Sequence, residues 1–313
     1  MLRYVVARLI QTVVLVFLVT VATFALISFA PGGPAILYES GMGQAEMEEM
    51  KRILGLDQPL YVQYVRWLGN VLRGDLGMSL TLTRPVASLI RDRLPATLLL
   101  SGTALIFAAT VGITLGVIAG LKRNSPIDHA LTLISFIGIS MPSFWYGLML
   151  IIVIASTWKL LPAGGMTTPG DGSARDVVRH LIMPALVLGT IYTVEIVRYT
   201  RSSMITVLRQ DYVRTARAKG LAENLILFRH VMRNAALPIV TVLGLLLPRL
   251  AAGAAVTEQV FAWPGMGQLA VRAAFQRDFP TIMGVTMIVS VVVVLASLLT
   301  DILYAYLDPR IRY

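Results

Sequence analysis

The residues with the clearest capacity for chemistry are five bases in one stretch, Asp211 to Pro238, which reads DYVRTARAKGLAENLILFRHVMRNAALP. Arg214, Arg217, Lys219, Arg229 and Arg233 are set there against only Asp211 and Glu223. Such a cluster supports recognition by charge, and its plainest use is to fix orientation in a membrane. Catalytic groups are harder to assemble. His129, His180 and His230 lie one per loop or helix end, without metal-ligand spacing. No Gly-x-x-x-x-Gly-Lys-Ser/Thr stretch occurs to cradle nucleotide phosphates, and no Ser/His/acid set can be put together. With no cysteine there is no thiol nucleophile, thiolate metal site or disulfide. The sequence therefore predicts no catalytic residue, no metal site and no cofactor bound by this chain.

The elements that hold the basic cluster are two short helices. Tyr212 to Lys219 contains no helix breaker and stops at Gly220, the residue type that closes a helix in a left-handed cap. From Leu221 to Arg233, three- and four-residue spacing puts Leu221, Leu225, Phe228 and Met232 on one apolar stripe. Two helices meeting at a glycine make a knuckle with a polar tip and an apolar back.

Composition places this knuckle beside a membrane. Hydrophobic residues are 56% and charged residues 14%, against roughly 25% charged in a soluble domain. Mean hydropathy is +0.74 and the pI is about 10.1. The net charge of +10 sits in loops next to apolar runs, which suits anionic lipid better than nucleic acid. The run from Leu9 to Ala30 covers about 33 Å as helix, enough to cross a bilayer and too long for a secretory core. Further runs at Leu94–Leu121, Ala130–Trp158, Leu181 onward, Ala235–Thr257 and Phe279–Thr300 give six transmembrane helices, an all-α membrane fold. Arg3, Arg8, Lys122, Arg123 and the knuckle put both termini and the knuckle on the cytoplasmic side.

Pro31-Gly32-Gly33-Pro34 ends the first helix, and residues 31–93 form the only sizeable polar region, an exported insert. Its GQAEMEEMKRILGL segment reads as an amphipathic helix ending at Gly55. The next helix gathers Leu60, Tyr64, Trp67, Leu68 and Val71 on one side. The exposed acids Glu46, Glu49 and Asp57 suit docking of another protein, although the insert could also be a lid packed on the membrane part.

A few residues inside the spans stand out. Pro142 interrupts the third run, predicting a kink, and Ser140, Pro142 and Ser143 are candidates to line a pathway. Ordinary packing by small residues explains them equally well. Glu195 and Arg198, three apart in the fourth span, are expected to pair near the inner interface. Arg249 lies fourteen residues into the fifth span, about 21 Å. So deep a guanidinium must face water, a carboxylate or a neighbouring subunit. We expect it to face a pathway, Glu195 being placed too near the cytoplasmic end of its span to reach it.

The knuckle resembles the cytoplasmic coupling loop of ABC-importer permeases, marked by a Glu-Ala-Ala triplet, a glycine four residues after it, and a later Leu-Pro. Arg214, Thr215 and Ala216 occupy the triplet, followed by Gly220 and Leu237-Pro238. Arginine in place of the glutamate, with the longer gap to the proline, matches the di- and oligopeptide branch, where YVRTARAKGL is usual. EQVFAWPGMGQL likewise resembles the family's Glu-x-x-Phe-x-x-Pro-Gly-x-Gly element, and LGLDQPLYVQYVRWLGNVLRGDLGMSLTLTRPV the insert of the first of its two paralogous permeases. The resemblance covers the whole chain. It implies residues 1–30 as an N-terminal helix, 31–93 as extracytoplasmic insert, and 94–313 as a five-helix core carrying a coupling loop at 211–238. In that loop Arg214, Thr215, Ala216, Arg217, Lys219, Gly220, Leu221 and Glu223 would meet the ATPase. Glu258 and Pro264 join Glu46, Glu49 and Asp57 as candidates to meet a binding protein. Expected partners are a second, paralogous permease, two ATPase subunits holding ATP and Mg, a substrate-binding protein and lipid. The cargo would be peptides, or else nickel chelates, glutathione or opines. The other class of function to weigh is an ion-coupled secondary transporter, for which a single Glu195 is slender support.

Overall fold

The computed structural model describes residues 2–29, 44–53, 55–251 and 255–307. Its architecture follows from one demand: in hydrocarbon, every main-chain N–H and C=O must be satisfied within the protein, and the helix does this within a segment. In chain order the elements are α1 (Leu2–Phe29), α2 (Gln44–Ile53), α3 (Leu60–Leu72), α4 (Val86–Leu121) and α5 (Pro126–Ser140). Then come α6 (Ser143–Leu150), extended by a π-helical segment Ile151–Thr157, α7 (Ala174–Leu208) and α8 (Asp211–Ala218). α9 (Glu223–Leu225) runs through a second π-helical segment, Ile226–Met232, into α10 (Arg233–Ala251). α11 (Ala255–Val260), α12 (Met266–Phe275) and α13 (Phe279–Leu307) complete the chain. The Pro31–Pro34 stop and the tail from Asp308 lie outside the described residues.

Four helices are long and apolar enough to cross a membrane, α1, α4, α7 and α13. Two bent pairs raise the number to six if each is one span: Pro126–Gly138 with Ser143–Thr157, and Glu223–Ala236 with Pro238–Leu250. The first pair turns through 99°, far more than the expected kink. Pro142 forces the preceding Met141 out of the helical region, to φ −82°, ψ 124°, so the helix ends there and restarts. α4 also begins earlier than the uncharged run suggests. Pro85 caps it, and the helix passes through Pro95, ten residues on, without stopping.

α4 and α7 pack along a ladder of small residues. A Cβ on Gly112, Gly116 or Gly120 would stand 2.8, 2.5 or 2.5 Å from the Cβ of Ile196, Thr200 or Met204 respectively. Without side chains at these three positions the backbones close up, the means by which helices gain van der Waals contact where lipid offers no hydrophobic drive. The core beside this contact joins Leu100, Ala104 and Ala108 of α4 to Leu188 and Ile196 of α7, Leu246 and Leu250 of α10, and Trp263. Hydroxyls stitch α10 to its neighbours. Ser101 Oγ donates to Leu250 O at 3.0 Å and Ser203 Oγ to Ala235 O at 3.2 Å. Pro248 has no N–H for Gly244 O, and Thr300 Oγ1 of α13 donates to that carbonyl instead, at 2.9 Å.

Candidate functional site

The knuckle forms as its residue types dictate. α8 ends in a two-bond cap: Gly220 N–H donates to Arg217 O at 2.9 Å, and Leu221 N–H to Ala216 O at 3.4 Å. Gly220 takes φ +73°, and a Cβ placed on it would meet nothing within 4 Å. Left-handed conformation, not crowding, is what asks for glycine here. Arg214, Thr215, Arg217, Lys219, Gly220, Leu221 and Glu223 are all exposed, while Ala216 is buried. Thr215 Oγ1 turns back to Asp211 O at 2.9 Å. Arg217 bridges the turn to Glu223, its Nε donating to Oε1 at 2.8 Å and its Nη2 to Oε2 at 3.3 Å.

The apolar back of the knuckle is not the expected stripe. Leu221, Leu225 and Phe228 are 37%, 42% and 71% exposed, and Met232 is half-buried. The buried set is Ile226 and Val231 with Val213 and Ala216 of α8, Met204 of α7 and Ala235 of α10. The reason is the winding. Between Ile226 and Met232 the helix closes on i→i+5 bonds, so residues five apart, Ile226 and Val231, share a face. A 3.6-residue period misassigns every position after the change. Phe228 is thereby turned outward, Tyr212 of α8 is exposed too, and the basic tip carries apolar surface.

Next to this seat lies an ion pair that sequence reasoning missed. Arg201 of α7 grips Asp128 at the start of α5, Nε to Oδ1 at 2.6 Å and Nη2 to Oδ2 at 2.7 Å. Asp128 is 1% exposed and also accepts from Asn124 N–H at 2.9 Å. The only signal was an acid following a Ser-Pro helix start; its partner is 73 residues away.

Along the membrane, polar side chains fall on one open face of two helices. On α7 Tyr192, Glu195, Arg198, Ser202 and Thr206 recur every three or four residues and are exposed or half-buried. On α10 Asn234, Thr241 and Arg249, seven and eight residues apart, are likewise exposed or half-buried. Arg249 does have a carboxylate partner within the chain. Its Nη1 donates to Glu195 Oε2 at 3.1 Å and lies 3.4 Å from Oε1. This corrects both expectations for these residues: Glu195 is within reach of Arg249, and it does not pair with Arg198, whose guanidinium lies 5.5 Å from the Tyr199 ring centroid. Two charges deep in a span offset each other's burial better than either would alone. Arg249 keeps 61% of its side-chain surface exposed even so. Ser140, Pro142 and Ser143 sit at the break between α5 and α6. Ser140 Oγ is turned back onto Phe136 O at 2.9 Å, so these three are not joined to the Glu195–Arg249 pair by any described contact.

At the opposite end, the Glu-x-x-Phe-x-x-Pro-Gly-x-Gly element folds around its own glutamate. Glu258 is 0% exposed. It accepts from Thr97 Oγ1 at 2.7 Å and Gln268 N–H at 2.9 Å, and Thr97 in turn accepts from Met266 N–H at 2.7 Å. A Cβ on Gly265 would collide with the Glu258 carboxyl, and one on Gly267 would come within 2.6 Å of Ala255 Cα. Burial pushes the Glu258 carboxyl above the ordinary glutamate range, against the lowering pull of these donors. A side chain enclosed in this way cannot meet another protein, so the expectation that Glu258 docks a binding protein is withdrawn. Pro264 is half-buried, and Glu46, Glu49 and Asp57 are exposed.

Two further carboxylates close this end. Asp278 is 1% exposed. It accepts from Leu80 N–H and Thr81 Oγ1, both at 3.1 Å, and Thr281 Oγ1 at 2.9 Å, tying the insert's last loop to α13. Asp176 takes Thr168 N–H at 2.6 Å and Thr168 Oγ1 at 2.9 Å. His180 lies beside Asp176 and is enclosed with it. It is 5% exposed, and its Nδ1 donates to Gly164 O at 3.0 Å. Among the described residues no group of three or more His, Cys, Asp or Glu could hold a metal ion.

Comparison with known proteins bears on the whole chain. Residues 112–313 match the family described as "Binding-protein-dependent transport system inner membrane component". Residues 1–101 match the corresponding N-terminal family model. The chain is 44% identical over 316 residues to the oligopeptide transport system permease protein AppB of Bacillus subtilis, covering 100% of both. It is 40% identical over 337 residues to the dipeptide transport system permease protein DppB of Escherichia coli K12, covering 100% of this chain and 99% of that one. Among solved structures it is similar in fold to the MetNI methionine ABC transporter in inward-facing conformations. That match has a TM-score of 0.58 and 17% identity over 71% of this chain and 97% of the other.

Proposed function

The chain belongs to the family of inner membrane components of binding-protein-dependent transport systems, and from that premise we propose that it is one of two permeases of an ABC importer for peptides. The relatives are named for oligopeptide and dipeptide transport, which supports peptides over nickel chelates, glutathione or opines as cargo. The observation that carries the reading is the knuckle: an exposed surface, basic and apolar together, seated on the ends of α7 and α10 by six buried side chains. In this reading it is where ATPase subunits grip the permease, since the chain has no phosphate-binding loop of its own.

Closure of an ATPase pair around ATP and Mg would push α8 and the π-helical segment as one body. α7 and α10 leave that body directly, so the polar face they share, with Glu195 and Arg249 on it, moves with the push. Two discrete packings, open to one side and then the other, follow from rigid helices turning about their contacts. The polar face would line half of the route, with a second permease supplying the rest. Peptides would arrive on a binding protein that meets Glu46, Glu49, Asp57 and the surface near Pro264. The positive-inside rule, applied to Arg8, Lys122, Arg123 and the knuckle, supports both termini on the ATPase side.

The test is reconstitution of the complete complex carrying Gly220→Glu. Substrate-stimulated ATP hydrolysis is expected to fall to the unstimulated rate while membrane insertion and assembly persist. Normal stimulation in that variant would overturn the coupling role of the knuckle.

A further inference from the structure

The insert helix α3 has three faces rather than two. One packs on the protein. Tyr64 lies against Phe17 and Phe24 of α1, with ring centroids 6.2 and 5.4 Å away, and its hydroxyl is 2.9 Å from Thr20 Oγ1. Trp67 and Val71 continue this face. A second face is polar, with Arg66, Asn70 and Arg73 all exposed. The third is apolar and uncovered: Tyr61, Val65 and Leu72 are 73%, 64% and 81% exposed. At 100° per residue these three fall within about 40° of one another.

The level of α3 along the membrane normal decides what covers that third face. Thr20 is nine residues short of the end of α1 at Phe29, about 14 Å back along the span. On the other side of the insert, Leu76 Cβ lies 3.8 Å from the place of a Cβ on Gly284, five residues or about 8 Å into α13. At Tyr64 α3 therefore lies below the end of α1, and the loop that follows it lies below the start of α13, which puts α3 within the half of the bilayer on the insert side. Leu18, Val21 and Leu26 of α1, a span that meets lipid, are exposed as well.

We propose that α3 is an interfacial membrane helix, its Tyr61–Val65–Leu72 face buried in the acyl region of the leaflet on the insert side and its arginine face reaching to the headgroups. An amphipathic helix with aromatic side chains and a basic polar face is the form that settles at this level, and long arginine side chains there snorkel to the water. The insert is thus part membrane element. α3 anchors it, and the acidic helix α2 would be held at the surface.

The chain contains no cysteine, so single cysteines at 61, 65, 66, 70, 72 and 73 can carry nitroxide labels in the assembled complex in phospholipid vesicles. Collision with oxygen, which concentrates in hydrocarbon, is expected to exceed collision with a water-soluble nickel chelate several-fold at 61, 65 and 72. The order should reverse at 66, 70 and 73. Chelate access at 61, 65 and 72 would place that face in water and overturn the proposal. Protection there from both reagents would show a protein partner on the face, and would overturn it equally.

Discussion

The two ends of this molecule treat charge in opposite ways. At the insert end Glu258, Asp278 and Asp176 are enclosed, and each accepts at least two hydrogen bonds from named donors. At the knuckle end Arg214, Arg217, Lys219 and Glu223 stand in the open, with Phe228 and Leu225 uncovered beside them. A buried carboxylate is tolerable only when its lone pairs are filled, so the insert end completes itself. An exposed ion pair contributes little, so the knuckle's charges add little to the stability of the described residues. One end is closed on itself and the other is left open.

The largest effect should come from breaking the closed end. Glu258→Ala orphans Gln268 N–H and the Thr97 hydroxyl, at about 1–3 kcal/mol each, and leaves a cavity against Gly265 and Gly267. A loss of at least about 3 kcal/mol is expected, read as a lower thermal midpoint of the purified complex. An unchanged midpoint would mean that the buried network is not what holds this end. The next effect sharpens the boundary. Asp128 is as enclosed as Glu258, but its partner Arg201 remains 32% exposed. In Asp128→Ala the released guanidinium can reach water, so the loss should be smaller, about 2 kcal/mol, in the same measurement.

How far these features were legible in the sequence follows the range of the interactions behind them. The Gly220 turn was legible because a left-handed cap is a property of four or five consecutive residues. The apolar runs were legible because composition over twenty residues is enough. The partner of Arg249 was not, because Glu195 lies 54 residues away and nothing local encodes which helices touch. The Gly112–Gly116–Gly120 ladder was present at four-residue spacing, and reading it needed only the knowledge that α7 lies opposite. The face of the π-helical segment was misassigned for a different reason: its period is set by packing against α8 and not by its residue types. Glu258 looked like an exposed loop acid, because its sequence neighbours do not reveal that Thr97 closes over it.

A third prediction separates conformation from contact at the knuckle. Gly220→Val puts a branched residue at φ +73° and costs on the order of 1–2 kcal/mol locally, whereas Gly220→Asn adopts that region readily. Since a Cβ at this position meets nothing within 4 Å, both variants should assemble normally. Coupled ATP hydrolysis should be lost in the valine variant and kept in the asparagine one. Equal loss in both would show that a side chain at this position blocks the partner, and that the turn itself is not the determinant.

The smallest effect on stability should be the most telling about purpose. Arg217 and Glu223 bridge the knuckle with side chains 44% and 68% exposed, a setting in which a pair contributes about 0–1 kcal/mol. Exchanging them, Arg217→Glu with Glu223→Arg, preserves the pair and inverts the field that a partner meets. If the charges exist to bind each other, the exchanged protein should be unchanged in every respect. If they exist for an ATPase surface, the thermal midpoint should stay within about 0.5 kcal/mol of the original, while the complex dissociates more readily and stimulated hydrolysis falls. The salt dependence decides between contact and shape, because a repulsive juxtaposition is screened over about 8–10 Å at physiological ionic strength. Partial recovery of coupling in the exchanged protein as salt rises would mark the defect as electrostatic. A stable, fully coupled exchanged complex would show that the knuckle end, like the insert end, keeps its charges for itself.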